Sequence, residues 1–316
     1  IRSNTYQSSS SQIETKQTDI KDNLTSQITK IIFSLKERMV SCENEVTGTV
    51  MENGEAHFWG RNDNLLPDCP SIISQPTSIL LSKPALKIKV RSTGLALILE
   101  DGSIYYRTKN TAIEVPINAI DLSISMVANE LGVITEDYQL YKLQSDGKLI
   151  LIDLSDFSTS EKIKQISLGL GYIAVLSGKG EVYLWGRNDY GQLGFGNFNR
   201  LSYPTKLSLP LNPSDTIKRV TCHGFFGGSH PTTTIVTRHG SLYMWGSNIC
   251  NKISTENGLI RLFKIYRSLD KIADPLEIKI ASSEKIKSDD RIKSVAVGYK
   301  STIAITEDDR IHFWGY

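Results

Sequence analysis

Cysteine is sparse in this 316-residue sequence, with Cys42, Cys69, Cys222 and Cys250 the only four. None falls in a C-x-x-C pair or at a Cys/His spacing suited to tetrahedral zinc, so no metal site and no cofactor is expected. Their wide spread reads as isolated reduced thiols and points to an intracellular setting, without separating nucleus from cytoplasm. A single Asn-x-Thr sequon at Asn23-Leu24-Thr25 is too common by chance to oppose that. Long hydrophobic runs are missing too. A membrane-spanning helix needs about 20 apolar residues, and the best candidates, such as Leu95–Leu99, are strand-sized. The sequence opens on Ile with no signal-peptide pattern, and so reads as a piece of something longer or a processed product. Neither sign of charge dominates: 36 basic and 34 acidic residues leave a net charge of +2. Direct nucleic-acid binding, which draws on a concentrated basic face, is therefore not expected. There is no P-loop, nucleophile elbow, H-E-x-x-H or paired-carboxylate constellation, and no catalytic residue is assigned.

What is present is a repeat. Residues 1–27 are polar, rich in Ser, Thr and Gln, and read as a flexible tail, because they bury too little apolar surface to offset ordering entropy. Thr25–Met39 places Ile28, Ile31, Ile32 and Leu35 at helical spacing, and Ile28 to Leu35 reads equally well as a strand. From about Val40 onward, short β runs are broken by Gly, Asp-Gly and Asn-Gly.

Gly54-Glu55-Ala56-His57-Phe58-Trp59-Gly60-Arg61-Asn62-Asp63 recurs as Gly180-Glu181-Val182-Tyr183-Leu184-Trp185-Gly186-Arg187-Asn188-Asp189. Gly240 to Asn248, holding Trp245-Gly246, is a third copy, and Asp309 to Gly315, holding Trp314-Gly315, is a fourth. Two eroded copies lie between the first and second, with Arg107 and Lys142 where Trp would stand. Each of the six turns is preceded by an apolar run such as Ile173–Leu176 or Thr234–Val236. Further upstream lies another strand in copies such as Ile163–Ile166, Ile217–Val220 and Ile292–Val295.

Each unit thus reads as a small antiparallel sheet with a tight hairpin that tolerates positive φ. Such sheets bury both faces only against neighbours, and a radial arrangement does this while leaving short edges. The expected fold is all-β, a β-propeller over residues 28–316.

Trp185-Gly186-Arg187-Asn188-Asp189-Tyr190-Gly191-Gln192-Leu193-Gly194-Phe195-Gly196, followed by Tyr203-Pro204 and the run from Ile217 to Gly224, resembles the repeat of the RCC1 (regulator of chromosome condensation) family. The resemblance covers residues from about 40 to 316, tightest over 180–246 and loosest over 86–150. It implies seven blades, one more than the six visible repeats, with closure using strands from both ends of the chain. It implies a protein partner and permits nucleotide exchange on a Ran-type small GTPase, through preferential binding of the nucleotide-free GTPase. It also leaves open a substrate-recognition region beside a ubiquitin ligase domain. The reading preferred here is a non-catalytic interaction scaffold, since one fold serves many functions. The Gly-Trp-Arg-His-Thr motif by which a plant photoreceptor of this family absorbs ultraviolet light is absent.

Regular recurrence of Trp59-Gly60, Trp185-Gly186, Trp245-Gly246 and Trp314-Gly315 favours a packing role over a ligand-stacking one. Asn188 and its neighbours suit turn capping. Binding is sought where the repeat is broken. In Cys222–Pro231, extra residues place His223, Phe225, Phe226 and His230 in a Gly-rich loop. The competing reading is an insertion whose Phe residues fold back on the blade. Asn251–Lys287 is a long insertion in which Arg261, Lys264 and Arg267 alternate with apolar residues. It reads first as an elaborated strand with a solvated basic face, and second as an arm meeting an acidic surface or phosphates.

Overall fold

The computed structural model describes residues 40–315 apart from 44–45, 63–64, 67–68, 92–93, 126–130, 145, 153–161, 225–229, 249–252, 254–270, 279–290 and 298–300. The tail at 1–27 and the helix-or-strand segment at 25–39 lie outside the described residues.

All described elements are strands, grouped in six antiparallel sheets in chain order. The first holds β1 (Val40–Glu43), β2 (Val46–Val50), β3 (Ala56–Arg61) and β4 (Ile72–Ser78). The second holds β5 (Ala85–Arg91), β6 (Gly94–Leu99), β7 (Ile104–Thr108) and β8 (Ala112–Val115). The third holds β9 (Ala119–Ile124), β10 (Leu131–Thr135), β11 (Leu140–Leu143) and β12 (Leu149–Leu151). The fourth holds β13 (Ile163–Leu168), β14 (Tyr172–Ser177), β15 (Val182–Gly186) and β16 (Leu201–Lys206). The fifth holds β17 (Ile217–His223), β18 (Thr232–Thr237), β19 (Leu242–Ser247) and β20 (Lys271–Ile278). The sixth holds β21 (Ile292–Val297), β22 (Ser301–Thr306) and β23 (Ile311–Gly315).

This is a six-bladed propeller arrangement, one sheet for each repeat copy, including the two copies that lost Trp. The seventh blade implied by the resemblance is not among the described residues. No helix among them is long and apolar enough to cross a membrane.

The hairpin between the second and third strands explains the turn residues. Gly54, Gly102, Gly180 and Gly240 take φ of +81°, +80°, +85° and +89°, and Tyr138 and Asp309 hold the same place at +64° and +61°. The erosion of glycine in those two copies leaves the turn intact at the cost of left-handed strain.

The sheets bury their faces on one another. Phe58 and Val46 pack with Ile88 and Val90, and Leu184 and Ala174 pack with Val220 and Ile217. Met244 and Val236 pack with Ile292. The first strands lie at the centre, and polar side chains stitch each to the next. Ser41 Oγ accepts the Val90 amide at 3.1 Å. Asp121 Oδ2 and Ser123 Oγ accept the amides of Ile166 and Leu168, both at 2.9 Å. Gln165 Oε1 and Ser167 Oγ accept those of Val220 and Cys222 at 3.1 and 2.8 Å. Lys87 Nζ sits 2.6 Å from Asp121 Oδ1, an ion pair whose side chains are 14% and 6% exposed. Backbone donors that a neighbouring strand of the same sheet leaves unpaired are thereby satisfied between sheets.

Candidate functional site

In every sheet the first strand ends, the second begins and the third ends, with its Trp-Gly where the repeat keeps one, at one end of the propeller; the hairpins lie at the other. On the hairpin end, charges pair with one another. Lys83 Nζ lies 2.9 Å from both Asp101 and Glu114. Lys293 reaches Asp309 at 2.7 Å, and Arg310 reaches Asp308 at 2.7 Å. Hydrogen bonds from Ser103 and Lys83 hold the Asp101 carboxyl well below the usual carboxylate range.

At the Trp-Gly end, the signature residues build joints. Trp245 is fully buried, and its Nε1 donates to the Gln192 carbonyl of the preceding sheet's loop at 2.8 Å. Thr233 Oγ1 donates to that carbonyl at 2.7 Å. Leu193 fills the space beside the indole, and Gly194 at φ +78° has no room for a Cβ, which would stand 2.7 Å from Trp245 Nε1. The glycine after Trp is fixed by its own fold: Gly186 has φ +109°, and a Cβ there would meet the Gly171 carbonyl oxygen at 2.5 Å. Trp185 is buried, and Trp59 and Trp314 are half-buried against the first and last core clusters.

Asparagine three residues after Trp shapes the loop. Asn188 Oδ1 accepts the Leu193 amide at 2.9 Å, Asn62 Oδ1 that of Leu66 at 2.8 Å, and Asn248 Oδ1 that of Ile253 at 3.0 Å. In the second sheet Arg107 stands at the Trp position, and its Nε donates to the Leu65 carbonyl. The substitution keeps the intersheet hydrogen bond while giving up the indole's packing.

The same end carries the exposed chemistry. Lys271, at the start of β20, sets its ammonium 4.8 Å from the Tyr190 ring centroid and 5.7 Å from that of Phe198. His230 meets Tyr190 edge to face, with centroids 6.3 Å apart and planes at 88°. Phe198 is 49% exposed. Arg187 pairs with Asp189 on the rim. The β15–β16 loop of the fourth sheet and the β17–β18 loop and β20 of the fifth thus bring aromatic rings together beside one cation. Cation–π pairing of this kind contributes roughly 0.5–1 kcal/mol at exposed sites.

Of the residues expected to bind, His223 ends β17, half-buried, with Nε2 3.4 Å from Thr234 Oγ1. His230 joins the cluster. Phe225, Phe226, Arg261, Lys264 and Arg267 lie outside the described residues. Tyr190, Phe198 and Lys271 were missed in the sequence. Tyr190 was hidden in the repeat motif, and Lys271 follows a long insertion that conceals its register. Nearer the axis, Arg91 donates to the Ile124 and Leu168 carbonyls at 3.2 and 3.4 Å, joining three sheets. Burial lowers its guanidinium to about 10.

Cys222, fully enclosed beside Tyr172 and Ser167, has its thiol pushed up to about 12 by burial. Thiolate is the reactive form, so Cys222 is expected to stay unmodified by a maleimide at pH 8 in the folded protein and to react once denaturant is added. Peptide mapping of the labelled protein checks this; labelling at the rate of a free thiol would contradict it. Among the described residues, no group of three or more His, Cys, Asp or Glu is placed to hold a metal ion.

Two family models, both described as the regulator of chromosome condensation (RCC1) repeat, match residues 179–228 and 163–192. The ultraviolet-B receptor of Arabidopsis thaliana is 33% identical over 156 residues, covering 49% of this chain and 30% of that protein. The X-linked retinitis pigmentosa GTPase regulator of Canis lupus familiaris is 27% identical over 176 residues, covering 54% of this chain and 15% of that one. The matches span less than a third of either relative. Among solved structures, yeast RCC1 (Prp20) bound to Kap60 superposes with a TM-score of 0.67 at 15% identity, over 88% of this chain and 69% of that one.

Proposed function

We infer that this chain, a divergent member of the RCC1 repeat family, is a non-catalytic propeller scaffold that receives a protein partner on its Trp-Gly end, across the joint between the fourth and fifth sheets. The observation that carries this reading is the cluster of Tyr190, Phe198, His230 and Lys271, in which Phe198 and Lys271 are exposed and Tyr190 and His230 half-buried. It stands on a rigid joint, beside a described end whose other conspicuous residues are committed to packing. Aromatic side chains with few rotatable bonds supply contact area at low entropic cost, and they dominate binding energy where they cluster.

The test is affinity capture from cells with the wild-type chain and with a variant carrying Tyr190→Ala, Phe198→Ala and Lys271→Ala together. A discrete partner retained by the wild type and lost by the variant, with melting midpoints within about 3 °C of each other, is the expected result. Capture that survives the triple substitution would place the partner elsewhere. Exchange on a Ran-type small GTPase is the competing activity. Under the scaffold reading, micromolar chain leaves the rate of fluorescent-nucleotide release from such a GTPase unchanged, and acceleration would favour exchange.

A further inference from the structure

At the hairpin end, two positions of the repeat set the charge of each joint between sheets. The first is the residue directly after the second strand, whose amide donates to the carbonyl just before the first strand of its own sheet. Glu100 donates to Pro84, Glu136 to Asn118 and Glu307 to Arg291, at 2.9, 2.9 and 2.8 Å. The fourth sheet has Gly178 at this position. The fifth has Arg238, held by the same bond to Thr216 at 2.8 Å, so there the sign of the charge is inverted. The second position lies near the start of the first strand, where the pairing skips one residue. It jumps from Ile163 to Gln165, from Ile217 to Arg219 and from Ile292 to Ser294, which leaves Lys164, Lys218 and Lys293 as the bulged residues. A bulge re-aims its side chain. Lys218 of the fifth sheet crosses to the sixth, where its Nζ lies 3.2 Å from Glu307 Oε1.

One joint earlier, the same construction sets Lys164 of the fourth sheet against Arg238 of the fifth. Where the next joint holds an ion pair, this one holds two cations. Burial and then the charge of Arg238 lower the Lys164 ammonium from its ordinary value. Lys164 is half-buried and Arg238 exposed, and among the described residues no carboxylate pairs with either. Asp215 is the acidic residue beside them in the fold, and its Oδ1 is already committed. It accepts the amides of Thr216 at 2.8 Å and His239 at 3.0 Å, and His239 Nδ1 stands 3.8 Å from it. The hairpin of the fourth sheet closes the same rim. A Cβ on Gly180 would stand 3.1 Å from Thr216 Cβ, so the exposed Lys179 next to it belongs to this joint as well. Like charges held together in this way destabilise the free protein, and the positive field they share is relieved when an anion settles between them.

We propose that the hairpin end of the joint between the fourth and fifth sheets binds a phosphate group, held between Lys164 and Arg238. Two positive charges match a phosphate monoester, which carries about −1.5 to −2 at pH 7, whereas a lone carboxylate would leave one of them uncompensated. Arginine offers a planar fork to two phosphate oxygens, and lysine a compact charge to a third. The group arrives either on a small phosphorylated compound or on a phosphorylated side chain of a protein, and the two probes below separate these sources. The site lies at the far end of the joint from Tyr190 and Lys271, and its test does not depend on the scaffold reading.

Inorganic phosphate and a capped Gly-Ala-phosphoserine-Ala-Gly peptide serve as probes on the full 316-residue chain, against sodium chloride at matched ionic strength. A saturable rise in melting midpoint is expected, half-maximal below about 10 mM and reaching roughly 2–4 °C at ten times that concentration. Arg238→Glu rebuilds here the arrangement of Lys218 with Glu307. It is expected to abolish the rise while melting, without probe, at or above the wild-type midpoint. Lys293→Gln removes a cation from another joint and is expected to keep the rise. The second readout needs no variant: labelling of amines by a succinimidyl ester, followed by peptide mapping, is expected to slow about fivefold or more at Lys164 when phosphate is present, and to stay unchanged at Lys293. Half-saturation at least tenfold lower for the peptide assigns the group to a phosphorylated protein segment; a smaller difference assigns it to a free phosphate compound. A midpoint that phosphate moves no further than chloride does overturns the proposal. So does a rise that survives Arg238→Glu, or labelling of Lys164 that phosphate does not slow.

Discussion

Trp245→Ala is expected to destabilise the protein by about 3–5 kcal/mol, the range for truncating a fully buried aromatic. The indole is buried on every side, among Leu193, Leu207, Tyr172 and Val220. Its removal leaves a cavity that Gly194 does nothing to fill, and it withdraws the donor that meets the Gln192 carbonyl. Thr233 still donates to that carbonyl, so the hydrogen-bond part of the loss is small beside the cavity part. For a chain of this size the melting midpoint is expected to fall by roughly 6–15 °C. Differential scanning fluorimetry or calorimetry measures it. A fall of under 2 °C would mean that Trp245 is not the joint between the fourth and fifth sheets.

The second large effect is expected at Asp121. Its carboxylate accepts the Ile166 amide on one oxygen and meets Lys87 on the other, tying the second, third and fourth sheets at the centre. Asp121→Ala removes the carboxylate 2.6 Å from a cation that is 14% exposed and leaves a buried backbone donor unpaired. Breaking one half of such a pair costs about 3–5 kcal/mol, more than the pair contributes over an apolar substitute, because the remaining half-buried charge loses its close counter-ion. The double variant Asp121→Leu with Lys87→Met is therefore expected to recover the charge part of the loss and not the part due to the unpaired Ile166 amide. Chemical denaturation of the wild type, the single variant and the double variant separates the two contributions. If Asp121→Ala alone unfolds at the wild-type midpoint, the central stitch carries no weight.

These two positions also show what the sequence makes legible and what it conceals. Trp245, Gly246 and Asn248 announce themselves because the same structural task recurs in several repeats and selects the same residue types. Even Arg107 falls into place once its position in the repeat is known, since it meets Leu65 as Trp245 meets Gln192. Asp121, Ser123, Gln165 and Ser167 give no such signal. They are polar residues inside apolar runs, and their partners are backbone amides 45 or 55 residues away. No local periodicity encodes that distance. The proposed binding cluster is hidden for a related reason. His230 could be singled out as a departure from the repeat, but Tyr190 sits within the repeat and Lys271 enters only through the pairing of β20 with β19. The difference between the seven blades implied by the resemblance and the six sheets described has a counterpart in chemistry: the sixth sheet keeps the apolar face and Trp of a repeat that expects a neighbour.

The central claim is that the Trp-Gly end, at the fourth and fifth sheets, is where a partner is received. Hydrogen-exchange mass spectrometry of the full chain, alone and with its captured partner, tests this most directly. The account predicts new protection concentrated in 188–198, 223–230 and 271–274, with the hairpins at 52–55, 100–103, 178–181 and 238–241 unchanged. Protection confined to those hairpins, with 188–198 and 271–274 exchanging as in the free chain, would contradict it.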